Sequence, residues 1–187
     1  MKKTNARKCI TAGASLIMAV ITRVPAADLK LDQERSRIHV DAKATGHDFT
    51  GTLKDYHAKV TGNETTNAPK SFELEWDFND LKTGDAKRDK EMISWLGGGK
   101  PKGSFEFTKS WTDKAGVSHA QGELTINKVT KTINFPYEVK REGDWVTIDG
   151  EAKMDYKDFK LPLIRAMLMM TVDPKLVIRF HVVGEIE

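Results

Sequence analysis

Residues 122–139 read Gly-Glu-Leu-Thr-Ile-Asn-Lys-Val-Thr-Lys-Thr-Ile-Asn-Phe-Pro-Tyr-Glu-Val, and their period of two constrains the fold more than any other feature. Leu124 and Ile126 share one face. Ile133, Phe135, Tyr137 and Val139 share another, with charged or small polar residues between them. In an extended chain successive side chains point to opposite faces, so this pattern gives two strands with one buried and one wet face. Half-buried strands of that kind belong to antiparallel sheets.

The same alternation runs through most of the chain. Ile38, Val40, Ala42 and Ala44 form one run. Phe49, Gly51 and Leu53 begin a second, which Tyr56, Ala58 and Val60 continue. The parity slips near Lys54 and Asp55, which predicts a bulge. Phe72, Leu74, Trp76 and Phe78 alternate with Glu73, Glu75, Asp77 and Asn79. Further runs carry Phe105 and Phe107, then Val146 to Met154, then Leu176, Ile178, Phe180 and Val182. Turn-forming groups separate them: Thr45-Gly46-His47, Thr61-Gly62-Asn63, 113–116 and Glu142-Gly143-Asp144. About eight long antiparallel strands with short connections either close or split into layers, and closure removes exposed edges. The pattern shows no internal repeat and no second domain.

Two segments break the alternation. Residues 85–96 predict a short helix, with Asp85 as its N-cap, Met92, Ile93 and Leu96 on one face, and Gly97-Gly98-Gly99 ending it. Residues 159–172 are apolar and rich in methionine, which predicts a loop or short helix.

The N-terminus has the build of a secretory signal peptide: a basic head, a mostly apolar stretch over residues 10–21, and Val24-Pro25-Ala26 before the cut. Residues 1–26 are therefore expected to be removed, leaving one domain over 27–187. That segment alters the charge argument. The full chain carries +3; Lys2, Lys3, Arg7, Lys8 and Arg23 are its basic groups and it has no acid, so the remainder carries −2. The basic balance thus belongs to the leader and does not point to nucleic acid. The single cysteine, Cys9, also lies there, so the exported domain is held by its core without disulfides.

Catalytic patterns are not evident. His39, His47, His57, His119 and His181 stand at no metal-ligand spacing, and there is no nucleophile elbow or phosphate loop. Arg88 and Asp89 sit mid-helix beside an apolar face. They read either as a cap and ion-pair cluster that fixes the helix, or as a place where Arg88 meets the polar or anionic head of a ligand.

Several segments resemble the YceI-like family of periplasmic polyisoprenoid-binding proteins. Gly-x-Leu-Thr-Ile followed by Val-Thr-Lys, within 122–131, is the strongest match. Ser36-Arg37-Ile38 after Leu31-Asp32, Phe49-Thr50-Gly51, Thr83 to Asp89 followed by Met92 and Trp95, Lys100-Pro101 before Phe105, Asp158-Phe159 and Val172-Asp173 match in order. The resemblance implies an all-β, extended, eight-stranded antiparallel up-and-down barrel, lipocalin-like, exported to the periplasm. It implies a non-enzymatic protein that carries or stores a long-chain isoprenoid or similar amphiphilic lipid in its lumen. A quinone-binding accessory to a membrane electron-transport protein is the alternative, and an enzyme acting on a lipid head group a more remote one. No cofactor is expected beyond the bound lipid. A membrane or membrane-protein donor or acceptor, and a homodimer, remain open as partners.

The expected lumen residues are Phe49, Leu53, Trp76, Phe105, Phe107, Leu124, Phe135, Met167, Met169 and Met170, with Arg88 at the head group. Gly51, Ala42, Ala44, Gly150 and Ala152 are expected to leave space. The three methionines read either as a gate at the mouth, since methionine adapts to irregular ligands, or as core plugging one end.

Overall fold

A computed structural model of the chain describes residues 26–63, 68–166 and 170–187. Eleven strands form a single sheet among them: β1 (Ala26–Ala44), β2 (Phe49–Leu53), β3 (His57–Asn63), β4 (Pro69–Asp77), β5 (Leu81–Lys82), β6 (Lys102–Thr112), β7 (Ser118–Ile126), β8 (Val129–Glu142), β9 (Trp145–Asp155), β10 (Arg165–Ala166) and β11 (Met170–Ile186). One helix, α1 (Ala86–Trp95), lies between β5 and β6. Every pairing is antiparallel, and β11 returns to pair with β1 from Leu29↔Ile186 to Ala44↔Val172. The sheet is therefore closed. β2 and β3 follow one line along β1, and β5 and β10 are two-residue strands, so the architecture is an eight-stranded up-and-down barrel.

The expected bulge at Lys54-Asp55 is a full interruption. β2 pairs with β5 through Thr52↔Lys82 and Leu53↔Leu81, whereas β3 pairs with β4. Breaking the strand lets it change its outer neighbour. The freed backbone groups bond elsewhere: Lys54 N–H donates to the Asp80 carbonyl, and Gln33 Nε2 donates to the Tyr56 carbonyl. Thr61-Gly62-Asn63 is not a turn but the end of β3, with a register shift at Gly62. Within 159–172 the expected loop is present over 160–164, and short pairing on β11 follows it. A 3₁₀ turn, Tyr156–Phe159, is followed by an irregular stretch and then by β10, which pairs back on β11 through Arg165↔Thr171 and Ala166↔Met170.

The strongest sequence signal behaves as read. β7 and β8 form a hairpin closed by Ile126↔Val129, and the two residues between them, Asn127 and Lys128, have φ of 50° and 62°. Left-handed values at both central positions give the turn whose twist matches the flanking strands. Asp85 caps α1 by accepting from the N–H groups of Lys87 and Arg88. Gly97 to Gly99 follow with φ between 71° and 99°, a conformation that ends a helix and that side chains with a Cβ rarely adopt.

Opposite the lumen, Val183 stands on the outward parity of β11 yet is only 2% exposed. The register of β1 on β11 shifts between Asp32 and Arg37. Ser36, buried in that shift, accepts from Val183 N–H and donates to the Asp32 carbonyl. Its hydroxyl thus satisfies backbone groups that the ladder leaves unpaired.

Candidate functional site

The inward faces of the strands enclose a cavity of about 800 Å³. The barrel is therefore not a filled core, and the volume falls in the range of ligand sites. Its lining on β11 runs from Val172 to Val182, which at about 3.3 Å per residue and a tilt of about 40° makes the lumen about 25 Å long. Small residues at Ala42, Ala44, Gly51 and Ala152 contribute to the wall. Gly150 does not leave ligand space as expected. A Cβ there would lie 2.2 Å from Cζ of Phe180, so the glycine makes room for the neighbouring ring. Gly103 does the same for Trp76, whose Cζ2 lies 2.1 Å from where its Cβ would be.

Aromatic side chains span much of the wall. Phe72 and Phe105, Phe105 and Phe135, and Phe135 and Phe180 have ring centroids 5.8, 5.7 and 5.5 Å apart in tilted or edge-on pairs, the geometry aromatic quadrupoles favour. Phe49, Leu53, Trp76, Phe105, Phe107, Leu124 and Phe135 all line the cavity. Met167 and Met169 lie outside the described residues. Met170 is the first residue of β11, but its side chain also lies outside the description.

Apart from the Tyr137 phenol on β8, the polar groups of the lining gather at one end. His47 from the β1–β2 loop, Thr83, Asp85, Lys87, Arg88 and Glu91 from α1 and its approach, and Arg165 from β10 border the cavity there. α1 turns Met92, Trp95 and Leu96 to the lumen. Trp95 Nε1 donates to the Pro162 carbonyl and its ring meets Tyr156 edge-on at 5.2 Å, so the helix is fastened to the segment before β10. Tyr156 donates to the Val172 carbonyl and accepts from Ile164 N–H. Burial pushes its phenol above the usual range, so it stays a neutral donor.

Arg88 and Asp89 do not form the expected ion pair; both bind Thr83. Asp89 Oδ1 accepts from Thr83 N–H at 2.9 Å and from its hydroxyl at 2.6 Å. Arg88 Nε donates to Thr83 Oγ1 at 3.0 Å, and its guanidinium sits 4.2 Å from the centroid of Phe49. Asp85 is turned onto the helix start, and the N–H groups of Arg88 and Lys87 hold its carboxyl below the usual carboxylate range.

His47, Lys87 and Arg165 were not expected at this mouth from the sequence. Arg165 carried a signal, as the one charge between Lys160 and Asp173. Among the described residues no group of His, Cys, Asp and Glu is arranged to hold a metal ion. No helix among them is long and apolar enough to cross a membrane.

Comparison with known proteins agrees with this geometry. The family model for the YceI-like domain matches residues 29–184. The chain belongs to the YceI-like family. Two solved structures share its fold. The crystal structure of Burkholderia cenocepacia BcnA superposes with a TM-score of 0.70 at 19% identity, covering 82% of this chain and 99% of that one. The crystal structure of a Campylobacter jejuni YCEI protein gives a TM-score of 0.58 at 17% identity, with 100% of both chains covered. No curated protein matches the chain. Membership of the YceI-like family, whose members are in general binding proteins, supports a lipid-binding barrel in general terms.

Proposed function

We propose that this YceI-like protein holds one long-chain isoprenoid or similar amphiphile, tail in the lumen and head at the α1 end, and carries or stores it outside the cytoplasm unchanged. The observation that carries this reading is the segregation within the cavity. Its length is walled by apolar side chains, and its charged residues stand together at one end. Apart from the Tyr137 phenol, a tail meets no polar side chain along such a wall, and a head group finds several at the mouth. Burying a tail contributes up to about 0.8 kcal/mol per methylene. A chain of about twenty carbons thus outweighs the several kcal/mol lost in ordering it.

The leader pattern of residues 1–26 supports export to the periplasm, with cleavage after Ala26 or Ala27. A membrane or membrane protein then serves as donor and acceptor of the lipid. The test is organic extraction of protein purified without detergent from the cell envelope, followed by mass spectrometry. One long-chain amphiphile per protein is expected. Protein that yields no lipid and takes none up from solution would reject the reading.

A further inference from the structure

We infer that the barrel end carrying the mouth docks on the surface of an anionic lipid bilayer; this rests on the lipid-binding reading above. The topology brings four stretches of chain to that end: 43–48 between β1 and β2, 83–102 from the approach to α1 into β6, 127–131 at the start of β8, and 155–175 from the end of β9 into β11. With Asp77, which pairs with Lys102, they hold twelve Lys and Arg against eight Asp and Glu. The other described residues hold thirteen against eighteen. A barrel that is acidic along its flanks and far end thus carries a basic rim at its mouth. An anionic surface attracts the rim and repels the remainder, so it meets the mouth first.

The two signs of charge also differ in what they touch. Five of the eight rim acids are turned onto nearby backbone. Asp77 accepts from Asn79 N–H, Asp85 from the N–H groups of Lys87 and Arg88, Asp89 from Thr83 N–H, Asp155 from Lys157 N–H and Asp173 from Lys175 N–H. Every ion pair among the described residues lies on the flanks or at the far end, as Arg179 with Asp41 and Lys30 with Glu187 do, and none involves a Lys or Arg of the rim. Lys90, Lys131 and Lys157 stand on three separate elements of the rim, exposed and outside the lumen lining. Apolar surface reaches the same rim. Pro162, whose carbonyl holds Trp95 Nε1, is exposed, and its neighbours Leu163 and Ile164 border the lumen half-buried. A bilayer matches both features. Its head groups supply the counter-charge, and its hydrocarbon lets a tail enter or leave the lumen without crossing water. An acidic protein would match the charge alone.

The test is flotation of the purified protein with vesicles of phosphatidylcholine alone, or of equal parts phosphatidylcholine and phosphatidylglycerol. Binding is expected to the second kind only, and to weaken as added salt screens it. Lys90→Glu, Lys131→Glu and Lys157→Glu combined are expected to lower that binding at least about tenfold, each single change carrying part of the loss. Lys59→Glu, Lys70→Glu and Lys114→Glu combined alter the net charge equally, away from the rim, and are expected to keep most of it. Both triple variants are expected to take up geranylgeraniol from solution as the parent does, followed by tryptophan fluorescence. Equal losses in the two triple variants would replace the rim with overall charge and overturn the proposal. Equal binding to the two kinds of vesicle, or to neither, would overturn it as well. Uptake of geranylgeraniol without vesicle binding would leave the lipid-binding reading standing, whereas failure of the parent to take it up would overturn the two together. Binding to immobilised polyglutamate as tight as to the anionic vesicles would overturn the bilayer in favour of an acidic protein.

Discussion

Phe159 and Phe107 are the same residue type in the same barrel, and their surroundings differ in kind. Phe159, in the 3₁₀ turn after β9, is 1% exposed, belongs to the packed core and does not border the cavity. Phe107, on β6, points to the barrel interior as its alternation requires, yet is only half-buried because it faces the lumen. Phe72, Trp76, Tyr137, Leu176, Ile178 and Phe180 share its situation. The inside of this barrel therefore holds two environments: a plug packed like any protein interior, and a wall that is apolar without being covered. The first provides stability. The second leaves apolar surface exposed until something fills it, and such a surface signals a binding site.

Breaking the plug should have the largest effect. Phe159→Ala is expected to cost about 3–5 kcal/mol in denaturant melts, because it opens a cavity in packed surroundings. Phe107→Ala in ligand-free protein should cost only about 1–2 kcal/mol, since its ring borders a void that already exists. Equal costs would erase the distinction between plug and wall.

Ser36→Ala comes next, at about 1–3 kcal/mol, because Val183 N–H is left buried without its acceptor. Its effect should be the same with and without bound lipid, as Ser36 does not border the lumen. Trp76→Ala sharpens the comparison differently. The alternation of β4 alone makes this a core tryptophan, but the structure makes it wall, so its cost in ligand-free protein should fall near that of Phe107→Ala. The penalty should grow on loading, because a ligand present at one hundred times its Kd adds about 2.7 kcal/mol that a defective wall partly forfeits. A penalty independent of loading would return Trp76 to the core.

Asp85→Ala should cost about 1 kcal/mol, from loss of the cap on α1. Glu75→Ala, one residue from Trp76 on the exposed face of β4, should stay within about 0.5 kcal/mol. A larger loss there would reverse the assignment of faces.

Alternation made the faces of the barrel legible, because a period of two fixes which side a residue takes. It carries no depth. Nothing in the β6 run distinguishes Phe105, 7% exposed, from half-buried Phe107. Long-range pairing was equally invisible. The slip at Lys54-Asp55 announced an irregularity, but only the competition between β4 and β5 for the same line of chain makes it a break. Gly150 shows a third limit. A missing side chain creates space, but whether a ligand or Phe180 takes that space depends on the strand next door. At the mouth, Arg88 stood out by its apolar neighbours, and Arg165 was marked as the one charge in its apolar run. That His47 and Arg165 share the opening with Arg88 was not legible, because they reach it from a loop and a strand distant in sequence.

The central claim is that the wall is covered by a lipid tail, and the four tryptophans allow it to be tested directly. Trp76 and Trp95 border the lumen, while Trp111 and Trp145 are exposed at 40% and 36%. A long-chain amphiphile carrying bromine on its tail quenches only indoles it touches. With Trp111 and Trp145 changed to Phe, the remaining lumen pair should be quenched saturably, at about one equivalent per protein. With Trp76 and Trp95 changed to Phe instead, the outer pair should keep its fluorescence. Quenching of the outer pair alone, or of both pairs alike, would contradict the account.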